Sequence, residues 1–387
     1  MTDWPTGTLR DVATPKGLVG GPFGSSLGGK DYVDEGVPVI RGGNLSTRGA
    51  FDASAFVYVT REKAASLARN QARPGDVVFT QRGTLGQVGI VPAGHDRYVI
   101  SQSQMRLRVD PAKADPRFVY YQFRSPAMVD AIRNSAITTG VPHINLGILA
   151  SLPIVIPPLA AQKAIAEVLS ALDDKIAGNE RAARIAGDLA AAEFDRAAAE
   201  NDRTCALGDV LDLVYGKALP AARRRPGEIP VYGSGGISGT HDRALVDGPG
   251  VIVGRKGTVG SVHWSPTGFH PIDTTYFVRL EGRKLTFPYA HFLLSRLKLS
   301  RMNQDSAVPG LNRAHALAIA VRLPPAETIA VFTDRVRPLF ALRDQLGEEN
   351  DALSALRDYL LPRLLSGALR PVPAKGFVDH HLGRGSA

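Results

Sequence analysis

The sequence predicts an α+β fold in which two tandem, mostly-β domains alternate with two long helices that carry coiled-coil seams. Three observations lead to this prediction. A series of motifs occurs twice in the same order, the segments that carry it are rich in β-branched and turn residues, and each series is followed by about forty residues with helical periodicity. The predicted order is a domain at 1–158, a central helix at 159–203, a domain at 204–325, a C-terminal helix at 326–370 and a flexible tail at 371–387.

The repeat is clearest in a pair of Gly-Thr segments. Val78–Val91 reads VFTQRGTLGQVGIV, and Val251–Trp264 reads VIVGRKGTVGSVHW. The offset between the two copies falls from 198 residues at the first shared motif to 174 at the Gly-Thr segments and 167 at the Pro-Pro that ends each domain. The first copy therefore carries extra residues in its front half. A period of this length indicates a duplicated domain and is too long for a solenoid unit.

Each domain is predicted to contain a twisted antiparallel sheet and few helices. Short apolar runs such as DVVFTQRG and TTYFVRL are separated by Gly, Pro and Asn, which is typical of strands joined by turns. One helix is expected in each domain, at Pro116–Asn134 and at Pro288–Asn303. Both begin with proline, whose missing N–H costs nothing in the first turn of a helix.

The two long helices are predicted at Leu159–Glu200 and Ala326–Leu365, where apolar residues recur at coiled-coil spacing. A helix of forty residues spans about 60 Å, which is longer than one domain needs. Such helices can also be core elements or can mediate homodimerisation. Pro338 predicts a kink in the second helix. The candidate coiled-coil and partner-interface residues are Ile165, Leu169, Leu172, Ile176, Leu339, Leu346, Leu353 and Leu360.

The charge distribution separates the helices from the domains. The chain has 46 Lys and Arg against 37 Asp and Glu, a net charge of +9, yet the two helical segments carry net charges of −3 and −2. The remaining residues therefore carry about +14, which favours a polyanionic partner for the domains. Because no apolar run is long enough for a membrane span, the N-terminus lacks a signal-peptide layout, and Cys205 is the only cysteine, we expect a cytoplasmic protein that does not contact membranes.

Motifs for catalysis or metal binding are not found in the sequence. It lacks a phosphate-binding loop, an HExxH motif, a nucleophile elbow and a Cys/His cluster. YGSGGISG at Tyr232–Gly239 is rich in glycine but does not have the dinucleotide-binding register. His380 and His381 lie in the tail, which we expect to be disordered. The chain is therefore expected to recognise a ligand and to have no chemistry, cofactor or metal of its own.

In each Gly-Thr segment a basic residue precedes Gly-Thr at a predicted strand-to-strand turn. Glycine permits close approach of the backbone, and the cation and the Thr hydroxyl can contact phosphate. An ordinary hairpin with an exposed cation explains one copy, but two copies in basic domains favour DNA. Other polar residues suit the edges of bases. The candidate DNA-binding residues are Ser25, Lys30, Arg41, Asn44, Gln81, Arg82, Thr84, Gln102, Gln104, His143, Asn145, Lys217, His241, Arg243, Arg255, Lys256, Thr258, His270 and Asn312.

These motifs, in this order, resemble the specificity (S) subunit of type I restriction-modification enzymes over essentially the whole chain. The resemblance is carried by PFGSSL at Pro22, GVPVIRGGNL at Gly36, IPVYGSGGISGTHD at Ile229, the second Gly-Thr segment and YLLPRLLSGAL at Tyr359. It implies two target-recognition domains that each read half of a split target in double-stranded DNA. It also implies that the two long helices pack as an antiparallel coiled coil, hold the domains apart, and bind two methyltransferase subunits and further restriction subunits. S-adenosylmethionine, ATP and Mg²⁺ would then belong to those partners.

Two other functions are considered beside this one. The second hypothesis is a coiled-coil scaffold or homodimer whose β domains bind protein or glycan, and a steep salt dependence of DNA binding would separate it from the first. A stand-alone enzyme is disfavoured because the sequence has no constellation of catalytic roles. Divergence between the two copies predicts an asymmetric target.

Overall fold

A computed structural model describes residues 4–45, 51–280, 282, 285–303 and 310–371, with backbone only at 302 and 303. The chain divides into a first unit, Met1–Gly178 with Asn350–Ala387, and a second unit, Asn179–Glu349. Each long helix therefore contributes one part to each unit. The predicted tail lies outside the described residues except for Pro371.

The strands of the first half of the chain are short and end at glycine, proline or polar residues. They are β1 (Thr6–Thr8), β2 (Ala13–Gly20), β3 (Tyr32–Val33), β4 (Val37–Ile40), β5 (Val57–Val59), β6 (Gln71–Ala72), β7 (Val77–Thr80), β8 (Val88–Ile90), β9 (Tyr98–Ile100), β10 (Gln104–Val109) and β11 (Pro153–Val155). The helices of this half are α1 (Arg61–Ser66), α2 (Pro116–Arg124), α3 (Pro126–Asn134), α4 (Leu146–Ser151) and α5 (Leu159–Ala198).

The second half has the same kinds of element in a shorter form. Its strands are β12 (Arg203–Ala206), β13 (Leu211–Tyr215), β14 (Ile229–Gly233), β15 (Gly236–His241), β16 (Gly250–Gly254), β17 (Val262–Ser265), β18 (His270–Pro271), β19 (Thr275–Leu280) and β20 (Ala320–Leu323). Its helices are α6 (Phe287–Arg296), α7 (Arg313–Leu317) and α8 (Ala326–Ser366).

The two units share one topology. β1 pairs with β11 as β12 pairs with β20, and the main sheets have the orders β2-β10-β7-β8 and β13-β19-β16-β17. A second sheet follows in each unit, containing β14 and β18 in the second unit and β3, β5, β4, β9 and β6 in the first. The predicted tandem repeat and α+β fold are confirmed. The sheets are not wholly antiparallel, however, because β4 pairs with β9 and β14 with β18 in parallel.

The longer front half of the first copy, predicted from the offsets, corresponds to β3, β6 and α1, because β5 pairs with β4 as β15 pairs with β14. The predicted helix at Pro116–Asn134 is two helices, because Ser125 is extended before Pro126 and its hydroxyl caps α3. In the second unit the predicted helix at Pro288–Asn303 ends at Arg296, and a 3-10 turn follows Lys298, whose φ is +49°. Proline and a left-handed residue thus interrupt both segments.

Each unit buries one face of its main sheet against its own helices. In the first unit, the core contains Met105 and Leu107 of β10 with Phe118 of α2, and these pack with Ile165 and Leu169 of α5. In the second unit, the corresponding core contains strand residues of β16 and β19 together with aromatic residues of α5, α6 and α8. The long helices are therefore part of the hydrophobic core in both units.

Within the first unit, the segments of α5 and α8 run antiparallel. Arg357 Nη1 lies 2.8 Å from Asp173 Oδ1. One turn further along α5, the Ile176 carbonyl accepts a hydrogen bond of 3.4 Å from Asn350 Nδ2. Residue numbers rise along one helix as they fall along the other, as the sequence predicts.

Within the second unit, the same arrangement is seen. Asn179 Nδ2 donates to Glu349 Oε2 at 2.8 Å, and Arg335 Nη1 lies 3.4 Å from Glu193 Oε2. α8 continues through Pro338 as one helix. Antiparallel packing of the long helices is thus present in each unit by itself.

The predicted apolar seam is only partly the contact between the helices. Ile165 and Leu169 are fully buried, but in the domain core of the first unit. Larger aromatic residues, among them Phe332 and Phe340, fill the corresponding core of the second unit. The remaining seam residues are half-buried: Leu172, Ile176, Leu339, Leu346, Leu353 and Leu360.

Candidate nucleic-acid interface

The two Gly-Thr segments, which link β7 to β8 and β16 to β17, have the same backbone conformation. Their glycines have positive φ values of +98° and +90° at Gly83 and Gly86, and +77° and +74° at Gly257 and Gly260. In both segments the amide of the residue after Thr donates to the carbonyl of the first glycine at 2.9 Å. Glycine adopts this left-handed conformation at no steric cost. The sequence similarity therefore reflects one turn structure used twice.

The second glycine of each segment also permits close packing. A Cβ at Gly86 would lie 2.9 Å from Val129 of α3, and one at Gly260 would lie 2.3 Å from the Ser300 amide nitrogen. Each turn is therefore seated on helical structure of its own unit. This contact fixes the direction in which the exposed Thr and the preceding basic residue point.

A second loop is attached to each Gly-Thr segment. The Gln81 carbonyl accepts a hydrogen bond of 3.0 Å from the Ile144 amide, and the Arg255 carbonyl accepts one of 2.8 Å from the Leu311 amide. The next residue in each loop, Asn145 or Asn312, caps the following helix by accepting a hydrogen bond from a backbone N–H. These two predicted DNA contacts thus use their side-chain oxygens as helix caps.

The loop that follows the first strand of each main sheet lies beside the same segments. A Cβ at Gly21 would lie 2.0 Å from the Ser101 carbonyl oxygen, and one at Gly216 would lie 2.2 Å from the Ile272 carbonyl oxygen. The turn before β10, residues 101–103, is also bonded to the Gly-Thr segment, because the Gln81 amide donates to the Ser103 carbonyl at 2.7 Å. In the second unit, the Arg255 amide bonds to Thr274 in the same way, at 2.8 Å.

We call this meeting of three loops the loop edge. In the first unit it consists of residues 21–27, 81–86 and 101–103, and in the second unit of residues 216–220, 255–260 and 272–274. Loops carried on a rigid sheet are a common location for binding residues.

The loop edge of the first unit exposes several of the predicted residues. Arg82, Thr84, Gln102 and Ser25 are exposed. Gln102 Nε2 donates to the carbonyls of Gly24 and Leu27, which ties two of the loops together. His143 forms an antiparallel bridge with Arg82 and is half-buried. Lys30 is exposed a few residues beyond the first loop.

The loop edge of the second unit has more positive charge. Lys217, Lys256 and Thr258 are exposed. Arg255 is half-buried, donates from Nε to the Asp273 carbonyl at 3.2 Å, and lies 5.2 Å from the centre of the Tyr215 ring.

Two further predicted residues lie close to this edge. The backbone carbonyl of Lys217 lies 3.3 Å from His270 Nε2, and Arg243 is exposed after β15. Burial raises the pKa of Tyr276 to about 12, so its hydroxyl stays protonated and donates to the Leu311 carbonyl at 2.9 Å. The phenol therefore holds the attached loop in place and is not itself a charged group.

The sequence matches the family model described as Type I restriction modification DNA specificity domain, over residues 1–185 and 200–346. The chain belongs to this family. It contains two such domains in tandem, which correspond to the two structural copies described above.

Solved structures of similar fold include specificity subunits. The S subunit of a type I restriction-modification system from M. genitalium is 18% identical, with 94% of this chain and 96% of that chain covered and a TM-score of 0.66. A chain from a study of complex assembly and conformational transition in the type I system is 18% identical, with coverages of 95% and 98% and a TM-score of 0.45. The HsdS subunit from Thermoanaerobacter tengcongensis is 16% identical, with coverages of 95% and 97% and a TM-score of 0.37. None of the curated protein sequences compared with the chain matches it.

Several predicted contact residues of this family member are used inside the fold. Asn44 is fully buried, accepts from the Arg41 amide at 2.7 Å and donates to the Asp52 carbonyl at 2.8 Å. Gln104 is also fully buried, and its side-chain oxygen accepts from Ser101. Side chains engaged in this way do not reach a base edge without breaking their bonds. We therefore correct these two assignments to loop-supporting roles.

Two more predicted residues are largely engaged within the protein. His241 is 7% exposed, and its Nδ1 accepts from the Arg225 amide at 3.0 Å. Arg225 also bonds to Asp242, and this hydrogen bond lowers the pKa of the Asp242 carboxyl. Arg41 Nη2 donates to the Ala55 carbonyl at 2.9 Å. His241 and Arg41 therefore stabilise loops of the protein by hydrogen bonds within the chain.

Sequence reasoning missed exposed apolar residues at the loop edges. Phe23 is 91% exposed, and Val141 is 58% exposed on the loop that pairs with Arg82. In the second unit, Ile237 is 63% exposed in the hairpin between β14 and β15. The signal for Phe23 was present, since an aromatic residue flanked by proline and glycine in PFGSSL does not suit a strand or a helix. A pattern of polar side chains does not mark it.

The described residues contain no group of three or more His, Cys, Asp or Glu that could hold a metal ion. None of the helices in the described part of the chain is long and apolar enough to cross a membrane.

Proposed function

We propose that the chain is the DNA-recognition subunit of a type I restriction-modification complex, and that it reads a bipartite, asymmetric target with one loop edge for each half. The observation that carries this proposal is the repetition of the loop edge. The same turn, the same close glycines and the same attached loop recur in two units, while the exposed side chains differ. Shared backbone with different side chains is what two readers of different half-sites require.

At each loop edge, the exposed cations would contact phosphates and so position the unit on the duplex. Arg82 serves this role in the first unit, and Lys217 and Lys256 serve it in the second. Sequence would be read by the remaining exposed polar groups. Gln102 would support the loop instead, because its Nε2 is bonded to the carbonyls of Gly24 and Leu27. Thr84 and Thr258 can bind either phosphate or a base edge.

The two half-sites are expected to differ because equivalent positions carry different residues. The attached loop bonds to the Gln81 carbonyl in the first unit and to the Arg255 carbonyl in the second, so these two residues are equivalent. Arg82 is then equivalent to Lys256. A glutamine favours adenine and an arginine favours guanine when either reaches a base edge. A palindromic target would need the same residues in both units.

The long helices would bind two methyltransferase subunits and, through them, restriction subunits. Several apolar side chains on these helices are exposed, which is expected of a surface that partners cover. They are Val168, Leu356 and Tyr359 in the first unit and Ile185, Leu189 and Leu342 in the second. S-adenosylmethionine, ATP and Mg²⁺ would be bound by those partners, and this chain would contribute specificity without chemistry.

The proposal is tested by sequencing the methylome of host cells with and without this chain. We expect loss of adenine methylation at one split, non-palindromic motif. An unchanged methylome in cells that contain active partner subunits would contradict the proposal.

DNA binding by the purified chain supplies a second test. Affinity for a duplex that carries the motif should fall steeply with salt, because phosphate contacts release counterions. Binding of a protein or glycan with little salt dependence would instead favour a coiled-coil scaffold.

A further inference from the structure

Phe23 is the most exposed large apolar residue among those the structure describes, with 91% of its surface accessible. It lies between two buried residues, Pro22 and Leu27, in the first loop of the loop edge. Single exposed apolar side chains are common on protein surfaces and need no explanation by themselves. The surroundings of Phe23 therefore decide whether its exposure is informative.

The loop that carries Phe23 is held firmly at both ends. The Gly21 amide donates to the Gln104 carbonyl at 2.8 Å, and Gln102 Nε2 donates to the carbonyls of Gly24 and Leu27. Leu27 is 3% exposed and belongs to an apolar cluster with residues of β4, β5 and β9. These contacts fix the backbone of the loop at the surface, and with it the position from which the Phe23 ring projects.

Phe23 and the Gly-Thr segment lie on either side of one turn, residues 101–103. The turn bonds to the Phe23 loop through the Gln102 side chain, and its Ser103 carbonyl accepts from the Gln81 amide at 2.7 Å. Arg82, the exposed cation, follows Gln81 directly. A phosphate contact by Arg82 would therefore bring the duplex to the loop that presents Phe23.

We propose that Phe23 inserts between adjacent base pairs of the half-site read by the first unit and unstacks them. This inference rests on the proposed function. Apolar side chains that wedge into a base step kink the duplex and offset the cost of unstacking with additional contacts. A rigid aromatic side chain on a fixed loop suits this role, since little conformational freedom is lost on insertion.

The second unit does not present an equivalent ring at this position. Gly21 and Gly216 occupy the same place, so the residue that matches Phe23 is Ala218. Tyr215, which precedes Gly216, is 53% exposed, but its ring is held against Tyr276 and beneath the Arg255 guanidinium. Insertion is therefore confined to one of the two half-sites.

The experiment uses the full-length chain at low ionic strength and duplexes that carry the split motif, with 2-aminopurine placed at successive positions of both half-sites. We expect 2-aminopurine fluorescence to rise on binding at one step of one half-site only. Phe23→Ala should abolish the rise and weaken binding about tenfold. Phe23→Trp should keep the rise, because indole also stacks on bases. Val141→Ala is the matched control, because it removes another exposed apolar side chain, from the neighbouring loop that pairs with Arg82, and it should leave the rise unchanged.

Persistence of the rise in Phe23→Ala, its loss in Val141→Ala, or rises in both half-sites would overturn the wedge. In those cases salt-dependent binding of the motif by the unaltered chain would still support the proposed function. Failure of the unaltered chain to bind the motif duplex would count against both.

Discussion

Arg82 in the first unit and Lys256 in the second stand at equivalent positions of the Gly-Thr turn, and both side chains are exposed. The glycines that follow them hold the turn on the helical structure beneath. The direction of each cation is therefore set by the backbone, and its contribution to binding can be removed without disturbing the fold.

We expect Arg82→Ala to weaken binding of motif DNA about tenfold, an effect of ~1.4 kcal/mol, and to lower the slope of log affinity against log salt by about one. Fluorescence anisotropy across a salt series measures both quantities. Arg10→Ala is the control, since Arg10 is exposed near the start of β2, and the loop edge lies at the end of that strand. An affinity within twofold of the unaltered chain would remove Arg82 from the interface.

The limits of sequence reasoning are clearest among the polar candidates. Gln102 and Gln104 are two residues apart in SQSQ, yet one is exposed and the other fully buried. The difference follows from the start of β10 at Gln104: Gln102 lies in the turn before the strand, whereas the Gln104 side chain faces the core. The exact start of a strand is set by tertiary packing, so the residue type marked the right loop without identifying the right side chain. Asn44 is buried for another reason, because it closes the short 3-10 turn Gly42–Asn44, where its side chain accepts from the Arg41 amide.

His291 gives the second unit a defined response to acid. Burial lowers the pKa of His291 to about 4, with smaller contributions from Arg343 and His263. The unfolded chain, with an ordinary histidine pKa of about 6.5, binds more protons than the folded chain between these two values. The stability that comes from keeping this imidazole neutral is therefore complete above pH 6.5 and is lost as pH falls toward 4.

We expect this residue to account for about 2 kcal/mol of lost stability between pH 7 and pH 5. Trp264, whose ring centroid lies 6.5 Å from that of His291, reports local unfolding. The measurement is urea denaturation followed by its emission in a Trp4→Phe background. His291→Gln should flatten the pH dependence, and His315→Gln, at an exposed position, should not. An equal pH dependence in the His291→Gln variant would refute the assignment.

At the scale of elements, the two units attach to the long helices by different chemistry. In the first unit, Asp173 of α5 accepts from Arg124 and Tyr121 of α2 at 2.7 and 2.9 Å and from Arg357 of α8 at 2.8 Å. Burial and the Asp173 charge both raise the pKa of Tyr121, which keeps its hydroxyl protonated as a donor. In the second unit, an aromatic cluster that includes Phe194 of α5 makes the corresponding contact.

Removing the shared carboxylate should destabilise the first unit strongly. Asp173→Ala leaves the largely buried guanidinium groups of Arg124 and Arg357 close together without their common anion, and we expect a loss of about 3 kcal/mol in the free energy of unfolding. Chemical denaturation measures this loss. Asp174→Ala is the matched control on the next residue, which is exposed. Equal effects of the two substitutions would show that the network contributes nothing beyond a surface charge.

The long helices were predictable as elements, but their packing was only partly so. Predicted and observed bounds of α5 and α8 agree within two residues, because uninterrupted helical periodicity between proline-rich stretches is a strong local signal. The heptad pattern indicated a self-contained seam. In the structure Ile165 and Leu169 serve the domain core, and Phe332 and Phe340 are buried where the pattern emphasised leucine. Heptad spacing marks the apolar face of a helix without identifying what covers it.

For the molecule as a whole, duplication is the feature that the sequence established most securely, since it depends on the order of many motifs. The parallel strand pairs and the inserted strands of the first unit could not be predicted from the sequence. Strands of two or three residues are too short to show a periodicity. The repeated backbone and the altered surface residues together support one reader for each half of a split target. The distance between the half-sites then becomes part of the recognised sequence.

That distance should depend on the length of the long helices. Deleting four residues from a helix shortens it by about 6 Å and turns its far end by about 400°, which is 40° beyond a full turn. One base pair of B-DNA contributes about 3.4 Å and about 35°. Matched four-residue deletions in α5 and α8, placed at facing positions so that the antiparallel pairing is kept, should therefore shorten the preferred gap by one to two base pairs, about two by length and about one by rotation. Both half-site sequences should stay unchanged. Methylome sequencing of cells that express the shortened chain reads the gap directly, and a four-residue deletion in the predicted tail, residues 371–387, is the control. A preserved gap with full methylation would mean that the helices do not set the spacing, and a changed half-site sequence would mean that they contribute to reading it.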